Sequence, residues 1–187
     1  MYDFSAVIFA GGASRRMGQN KALLPFGGYP TLAEFQYRRL EPLFKNVYIS
    51  TKEPSLFQFT DNIIIDLEDE FASMVALLSM MKTLREEKFF VISVDTPLLS
   101  EKEIKRLIEF DEKSITVART KNKTHPLFAI YHLDILLDLE KMVSEKEFKL
   151  RRLLEKSETH YVDFNDENLF TNLNYIDEYE QALKDYR

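Results

Sequence analysis

The 187-residue sequence contains no cysteine and no tryptophan, and its five glycines all lie at or before position 28. The absence of cysteine excludes disulfide bonds and cysteine-based metal sites, and it fits a reducing cytosol. No basic segment precedes a long apolar run near the N-terminus, and no stretch approaches the roughly 18 apolar residues of a membrane helix. We therefore expect a cytoplasmic protein that does not associate with membranes.

An excess of positive charge is also absent. The formal net charge is −6 at pH 7, and the adjacent residues Arg15 and Arg16 belong to no longer basic stripe. Surfaces that bind nucleic acid gather Lys and Arg on one face, so we do not expect nucleic acid as a partner. The length fits a single domain over residues 1–187, and 15 Phe and 9 Tyr predict a core rich in aromatic packing.

Short apolar runs of strand length alternate with longer segments of helical character. Ser-x-x-Glu patterns at Ser100 and Ser144 predict capping boxes that open two of the helices. The alternation predicts an α/β domain with a mainly parallel sheet and one antiparallel element after Ser114. We predict strands over residues 4–10, 47–50, 63–65, 89–94, 114–118, 127–131 and 161–164, a polar loop over 119–125, and helices over 31–41, 71–84, 100–110, 144–156 and from about 175 onward.

The first predicted strand runs directly into glycines and basic residues. Gly11, Gly12 and Gly18 are followed or flanked by Arg15, Arg16 and Lys21. Bare backbone N–H groups beside such cations are suited to phosphate. The spacing Gly-Gly-x5-Gly-x2-Lys matches neither the P-loop nor the Gly-x-Gly-x-x-Gly fingerprint of dinucleotide sites. We predict a phosphate-binding loop of another kind, in preference to a plain glycine turn.

Three polar residues end the neighbouring predicted strands: Ser50, Asp66 and Asp95. Ligands of open α/β sheets bind beyond the carboxyl ends of the strands, so these residues belong to the candidate site. A carboxylate there can hold Mg²⁺, which in turn binds phosphate oxygens, and we predict this role for Asp95 rather than that of a turn residue before proline. Asp66 could contact the metal, the ribose or the base, or start a turn.

Residues in the last third of the chain give weaker signals. His125 precedes a proline at a predicted strand start and is interpreted as a turn residue, and no Ser-His-Asp arrangement is visible. Asn172 and Asn174 precede the last helix. Asn174 could cap that helix, and both amides could also bind a polar ring.

Four segments together resemble the signature of the molybdenum cofactor guanylyltransferases, a family of the nucleotidyltransferase superfamily. The resemblance implies a Rossmann-like three-layer α/β/α fold and a reaction in which GTP and molybdopterin carrying molybdenum give a guanine dinucleotide cofactor and pyrophosphate. Asp66 corresponds to an aspartate of the family's guanosine site. The segments are FAGGASRRMGQNKALLPFGGYP from Phe9, VDTPLL from Val94, HPLFAIY from His125 and FTNLNYIDEY from Phe170.

The resemblance also implies roles for single residues. Arg16, Lys21 and Asp95 are the implied catalytic residues, with Asp95 as the Mg²⁺ ligand. Asn172 and Asn174 are implied to face the pterin. Molybdoenzyme apoproteins or their chaperones are further candidate partners. The implied GTP-binding residues are Phe9, Ala10, Gly11, Gly12, Lys21, Ser50, Asp66 and Asp95.

Four features depart from the family pattern, and the first, Phe9 where leucine is usual, should be tolerated. Asn20 stands where Asp commonly precedes the lysine, Ser50 stands in place of a guanine-site asparagine, and residues 71–77 lack a Gly-Pro-Leu-x-Gly stretch. Two alternatives therefore stay open. One is a related nucleotidyltransferase that uses CTP or a sugar phosphate, and the other is an accessory protein that binds a nucleotide or cofactor without catalysis.

Overall fold

The structure is a computed structural model that describes residues 1–11, 20–66 and 73–186. Within these residues the apolar runs form seven strands, and the segments between them form six α-helices. The strands are β1 (Ser5–Phe9), β2 (Val47–Thr51), β3 (Ile63–Ile65), β4 (Lys88–Ser93), β5 (Ile115–Thr120), β6 (Lys123–His132) and β7 (Thr159–Asp163). The helices are α1 (Leu32–Leu40), α2 (Ser73–Leu84), α3 (Glu101–Glu109), α4 (Leu136–Ser144), α5 (Leu150–Lys156) and α6 (Ile176–Asp185).

All seven strands join one sheet in the order β3-β2-β1-β4-β6-β5-β7. β6 is antiparallel to both β4 and β5, whereas the other neighbouring strands are parallel. The predicted parallel sheet with one antiparallel element is therefore confirmed. The chain passes from β1 to β2 on one side, and β4 lies on the other side of β1, which makes the carboxyl end of β1 a topological switch point.

Two hydrophobic clusters cover the two faces of the sheet. Ala6 and Ile8 of β1 belong to one cluster with residues of α1, α3 and α6. Val7 belongs to the other cluster with residues of α2, α4 and α5. Side chains of a strand alternate between faces, so a strand that is apolar at every position is covered on both sides. The predicted Rossmann-like three-layer α/β/α arrangement is confirmed.

The predicted capping boxes have different outcomes. Ser100 and Glu103 form a capping box at the start of α3, as predicted. Ser144 instead ends α4, a helix that the sequence analysis did not predict, and its hydroxyl donates to the carbonyl of Lys141. The next helix, α5, begins only at Leu150. The predicted helix over residues 144–156 is therefore wrong in its first half. Ser144 is the last residue of α4, which the preceding apolar segment forms, so it does not begin the next helix.

The predicted polar loop over residues 119–125 is also wrong. β5 and β6 continue through this segment and pair as far as Thr120 and Lys123. The register shifts between Val117 and Ala118, so Pro126 lies opposite an irregularity in the ladder. Proline lacks the N–H of a regular ladder and is tolerated at such bulges. This irregularity explains how β6 extends across Pro126, whereas the sequence predicts a strand that begins at residue 127.

The helix predicted over residues 71–84 is confirmed from Ser73 onward, and residues 71 and 72 lie outside the described part of the chain. No helix in the described part of the chain combines the length and apolar character that a bilayer crossing requires.

Candidate active site

The carboxyl ends of three adjacent strands form the base of the candidate site. Phe9 at the end of β1 is in register with Ser50 of β2 and with Ser93 of β4. Two backbone hydrogen bonds extend this row, from Ala10 N to the carbonyl of Ser50 at 2.9 Å and from Val94 N to the carbonyl of Phe9 at 3.0 Å. The predicted nucleotide residues Phe9 and Ala10 therefore lie at the switch point between these strands.

Lys21, Asp95 and Asn174 meet at this edge, although Lys21 and Asn174 are 153 positions apart in the chain. Lys21 Nζ lies 2.6 Å from Asp95 Oδ2 and donates to Asn174 Oδ1 at 3.0 Å. The side chains of Lys21 and Asp95 are only 16% and 12% exposed, so water screens their attraction weakly. Three residues that the sequence analysis assigned to one site are thus in direct contact.

Further contacts fix the position of Asp95. Ser93 Oγ donates to Asp95 Oδ1 at 2.6 Å, and Leu173 N donates to the carbonyl of Asp95 at 3.0 Å. Ser93 was not among the residues predicted for the site. A serine two residues before a strand-end aspartate is the signal that could have found it, because such side chains are within hydrogen-bond reach.

Asn20 explains how Lys21 is presented. The Asn20 side chain caps the short 3₁₀ helix Lys21–Leu23 and accepts a hydrogen bond from Ala22 N at 3.0 Å. Asn and Asp cap helices about equally well. The replacement of the usual family aspartate by Asn20 therefore keeps the turn that carries the lysine.

A second polar pair lies on the β2 side of β1. Ser50 Oγ donates to Asp66 Oδ1 at 2.8 Å. Burial raises the pKa of Asp66 above its usual value, while the Ser50 hydrogen bond and the charge of Lys52 act in the opposite direction. A Cβ added to Gly11 would lie 3.2 Å from Asp66 Oδ2, so the missing side chain at Gly11 allows this close approach.

Asn172 and Asn174 have different surroundings. Asn174 contacts Lys21, and the N-cap of α6 is Tyr175, so the interpretation of Asn174 as the cap is wrong. Asn172 lines a small cavity of about 110 Å³ next to the Asp95 loop. That cavity is lined by Ser93, Thr96, Leu99, Lys123, Thr124, His125, Pro126, Leu127, Phe128, Phe170 and Asn172.

His125 belongs to this cavity and lies within β6, so its interpretation as a turn residue is wrong. Its ring centroid is 4.2 Å from that of Phe170, and its Nε2 is 3.0 Å from Thr120 Oγ1. Burial lowers the pKa of His125 to about 4, with a smaller contribution in the same direction from the charge of Lys123. The imidazole is therefore neutral at pH 7 and adds no positive charge to the cavity.

Helix α1 holds the loop after β4 through two polar side chains that the sequence analysis missed. Gln36 Nε2 donates to the carbonyls of Ser93 and Val94, both at 3.3 Å. Arg39 Nη1 donates to the carbonyls of Pro97 and Leu99 on the other side of Asp95. Burial lowers the pKa of Arg39 to about 10. A polar residue on the buried face of an amphipathic helix is the signal for such a contact.

The donors present fit a Mg²⁺ ion that is held by few protein ligands. No group of three or more His, Cys, Asp or Glu side chains gathers for a metal anywhere in residues 1–11, 20–66 and 73–186. Mg²⁺ commonly takes one or two carboxylates, keeps several waters and completes its shell with substrate phosphates. Asp95, in a site of oxygen donors, suits that mode of binding. Gly12 and Arg16 lie outside the described residues, so their predicted roles stay predictions.

Comparison with known proteins agrees with this architecture. The family profile of the MobA-like NTP transferase domain matches residues 6–161. A molybdenum cofactor guanylyltransferase of Campylobacter jejuni is 35% identical over 99% of this chain and 98% of its own length. The Helicobacter pylori enzyme of the same name is 33% identical over 97% of this chain and 92% of its own length.

A solved structure supports the fold independently. Molybdopterin-guanine dinucleotide biosynthesis protein A from Archaeoglobus fulgidus superposes with a TM-score of 0.79 at 19% identity, with 97% of each chain covered. The family profile and the similar relatives show that the chain is a nucleotidyltransferase. It belongs to the molybdenum cofactor guanylyltransferase family, within the MobA-like NTP transferases.

Proposed function

We propose that this protein transfers GMP from GTP to the terminal phosphate of molybdopterin that carries molybdenum, forming the guanine dinucleotide cofactor and releasing pyrophosphate. The observation that supports this most is the contact of Lys21 with Asp95 and Asn174 at the switch point of the sheet. Together with the near full-length similarity to named guanylyltransferases, this contact supports a site in which Lys21 binds phosphate, Asp95 binds the metal and Asn174 faces the pterin.

The chemistry requires alignment and charge neutralisation more than a covalent intermediate. A terminal phosphate oxygen of molybdopterin attacks the α-phosphorus of GTP, a new P–O bond forms, and the bond to the β-phosphate breaks in line. That phosphate is already ionised at neutral pH, so the reaction needs no general base. Mg²⁺ held at Asp95 would supply positive charge to the nucleotide phosphates.

Side chains of the candidate site divide the remaining tasks. Lys21 stabilises negative charge on the departing pyrophosphate. The sequence motif assigns the same role to Arg16. Ser93 and the backbone of Leu173 hold Asp95 in position. Asn172 and Asn174 face the pterin side, and Asn174 links that side to Lys21.

Asp66 supports guanosine recognition. An ionised carboxylate only accepts hydrogen bonds, so it favours partners with donors such as ribose hydroxyls or the guanine N–H edge. Ser50 already engages one of its oxygens. Ser50 therefore acts on the base through Asp66, in place of the direct contact that an asparagine would make.

Pyrophosphate release from GTP, Mg²⁺ and molybdopterin tests the proposal. The wild-type protein should release pyrophosphate only when both substrates are present. Asp95→Asn should slow release by about a hundredfold or more, because it removes the charge that holds the metal. Asp61→Asn, at an exposed position before β3, is the matched control and should retain the wild-type rate. Unchanged release in Asp95→Asn would contradict the assignment, and no release by the wild type would favour the accessory-protein alternative.

A further inference from the structure

Lys21 forms an ion pair with Asp95, the carboxylate that the proposed function assigns to Mg²⁺. Its ammonium lies 2.6 Å from Asp95 Oδ2, and Ser93 Oγ donates to the other oxygen, Oδ1, at 2.6 Å. Both oxygens of Asp95 are therefore engaged before a metal arrives. A divalent cation can bind this carboxylate only by displacing Lys21 or by sharing an oxygen with it.

Sharing the carboxylate is unfavourable in these surroundings. The Asp95 side chain is 12% exposed and that of Lys21 is 16% exposed. Two cations a few ångström apart repel strongly where little water screens them. The lysine and the metal should therefore exclude each other at Asp95 in the absence of other anions.

Other contacts favour the position in which Lys21 covers Asp95. Asn174 Oδ1 accepts a hydrogen bond from Lys21 Nζ at 3.0 Å, and Asn20 caps the turn that carries the lysine. Asn174 thus holds the ammonium next to the carboxylate, and Asn20 fixes the turn from which the lysine extends. A triphosphate bound at the edge would offer Lys21 a stronger set of acceptors within reach of the same flexible side chain.

We infer that Lys21 is an internal competitor of the divalent cation, and that nucleotide binding opens the metal site by drawing the lysine from Asp95 to phosphate. This inference rests on the proposed function for the role of Asp95 as a metal ligand. It makes the metal and the nucleotide bind with positive coupling, and linkage requires each to raise the affinity of the other. It also predicts that the protein without nucleotide binds the metal weakly.

The distinctive consequence is that removal of Lys21 improves metal binding. Mn²⁺ alone is titrated into the full chain without nucleotide, and bound metal is measured by electron paramagnetic resonance. Lys21→Met should bind Mn²⁺ about tenfold more tightly than the wild type, within the roughly 5- to 150-fold range of such couplings. Adding Asp95→Asn to Lys21→Met should abolish the gain, because the gain arises at that carboxylate.

Lys105→Met is the matched control. Lys105 pairs with Glu101 at the same N–O distance of 2.6 Å, but both side chains are more than half exposed. The control removes the same charge and uncovers a carboxylate outside the site, and it should leave Mn²⁺ affinity at the wild-type value. Asn174→Ala provides a second variant if Lys21→Met does not fold, and it should change Mn²⁺ affinity in the same direction because it loosens the lysine.

The outcomes separate this inference from the proposed function. Equal Mn²⁺ affinity of the wild type, Lys21→Met and Asn174→Ala would overturn the competition, whether that affinity is high or low. A gain that survives Asp95→Asn would overturn it as well. GMP transfer by the wild type with no gain in Lys21→Met would leave the function standing without the competition. A gain in a protein that transfers no GMP would leave the competition standing without the function.

Discussion

At the scale of single residues, the two aspartates of the edge have different surroundings and should respond differently to substitution. Asp95 is engaged by Ser93 and Lys21, which stabilise its charge. Asp66 has one hydrogen bond from Ser50 and a pKa that burial raises. A group whose pKa is raised by folding favours the protonated form, so its ionisation at higher pH reduces the stability of the fold.

This difference predicts the effect of Asp66→Asn. The amide keeps an oxygen acceptor for Ser50 and removes a charge whose burial is unfavourable. The variant should therefore melt at a higher temperature than the wild type at pH 7, and the two should converge below the ordinary carboxyl pKa, near pH 4. The same variant should bind GTP more weakly, because the carboxylate acceptor is lost. Melting curves from pH 3 to 8 and titration with GTP check both parts, and a lower melting temperature with unchanged GTP affinity would contradict them.

At the scale of elements, the two Ser-x-x-Glu segments provide a direct comparison. Ser100 caps α3, whereas Ser144 closes α4 with a hydrogen bond to Lys141. Ser100→Ala should lower the free energy of unfolding by about 1 kcal/mol, in the range for lost N-caps. Ser144→Ala should change it by less than about 0.5 kcal/mol. Urea unfolding of both variants measures the difference, and equal losses would contradict the assignment of these helix ends.

The contact of α1 with the loop after β4 gives a second prediction at this scale. Gln36 is fully buried and donates to the carbonyls of Ser93 and Val94. Gln36→Leu should reduce stability by about 1–3 kcal/mol, because the carbonyl of Val94 loses its side-chain donor, whereas that of Ser93 keeps a hydrogen bond from Thr96. It should also slow GMP transfer, since those carbonyls begin the loop that carries Asp95. Gln181→Leu on the exposed face of α6 is the control. Loss of stability without any loss of transfer rate would show that Gln36 does not position Asp95.

The elements also show what sequence alone can predict. β4 is buried on both faces, so its unbroken apolar run and the Asp95 that follows it were readable. The three isoleucines of β3 marked Asp66 in the same way, although that strand is only partly buried. The extension of β6 across Pro126 was not readable, because a bulge within β6, between His125 and Ala129, permits it. The contact of Asn174 with Lys21 depends on the path of the chain over 153 positions, and its place in the site came only from a family resemblance.

At the scale of the whole molecule, the site depends on segments from both ends of the chain. Lys21 follows β1, Asp95 follows β4, and Asn174 precedes α6. The ring of Tyr186, just after α6, packs against Phe26 and Phe35 at centroid distances of 5.2 and 4.9 Å. The C-terminal helix therefore holds together the segment that carries Lys21 and the segment that carries Asn174.

The identity of the nucleotide and of its acceptor is the central claim at this scale, because a fold alone does not identify substrates. The most direct test is mass spectrometry of the product formed by the wild-type protein from molybdopterin with each of GTP, CTP, ATP and UTP in the presence of Mg²⁺. We predict a dinucleotide of molybdopterin and GMP, formed from GTP in strong preference to the other three. A cytidine dinucleotide, or no dinucleotide from any of the four, would contradict guanylyl transfer to molybdopterin as the function of this protein.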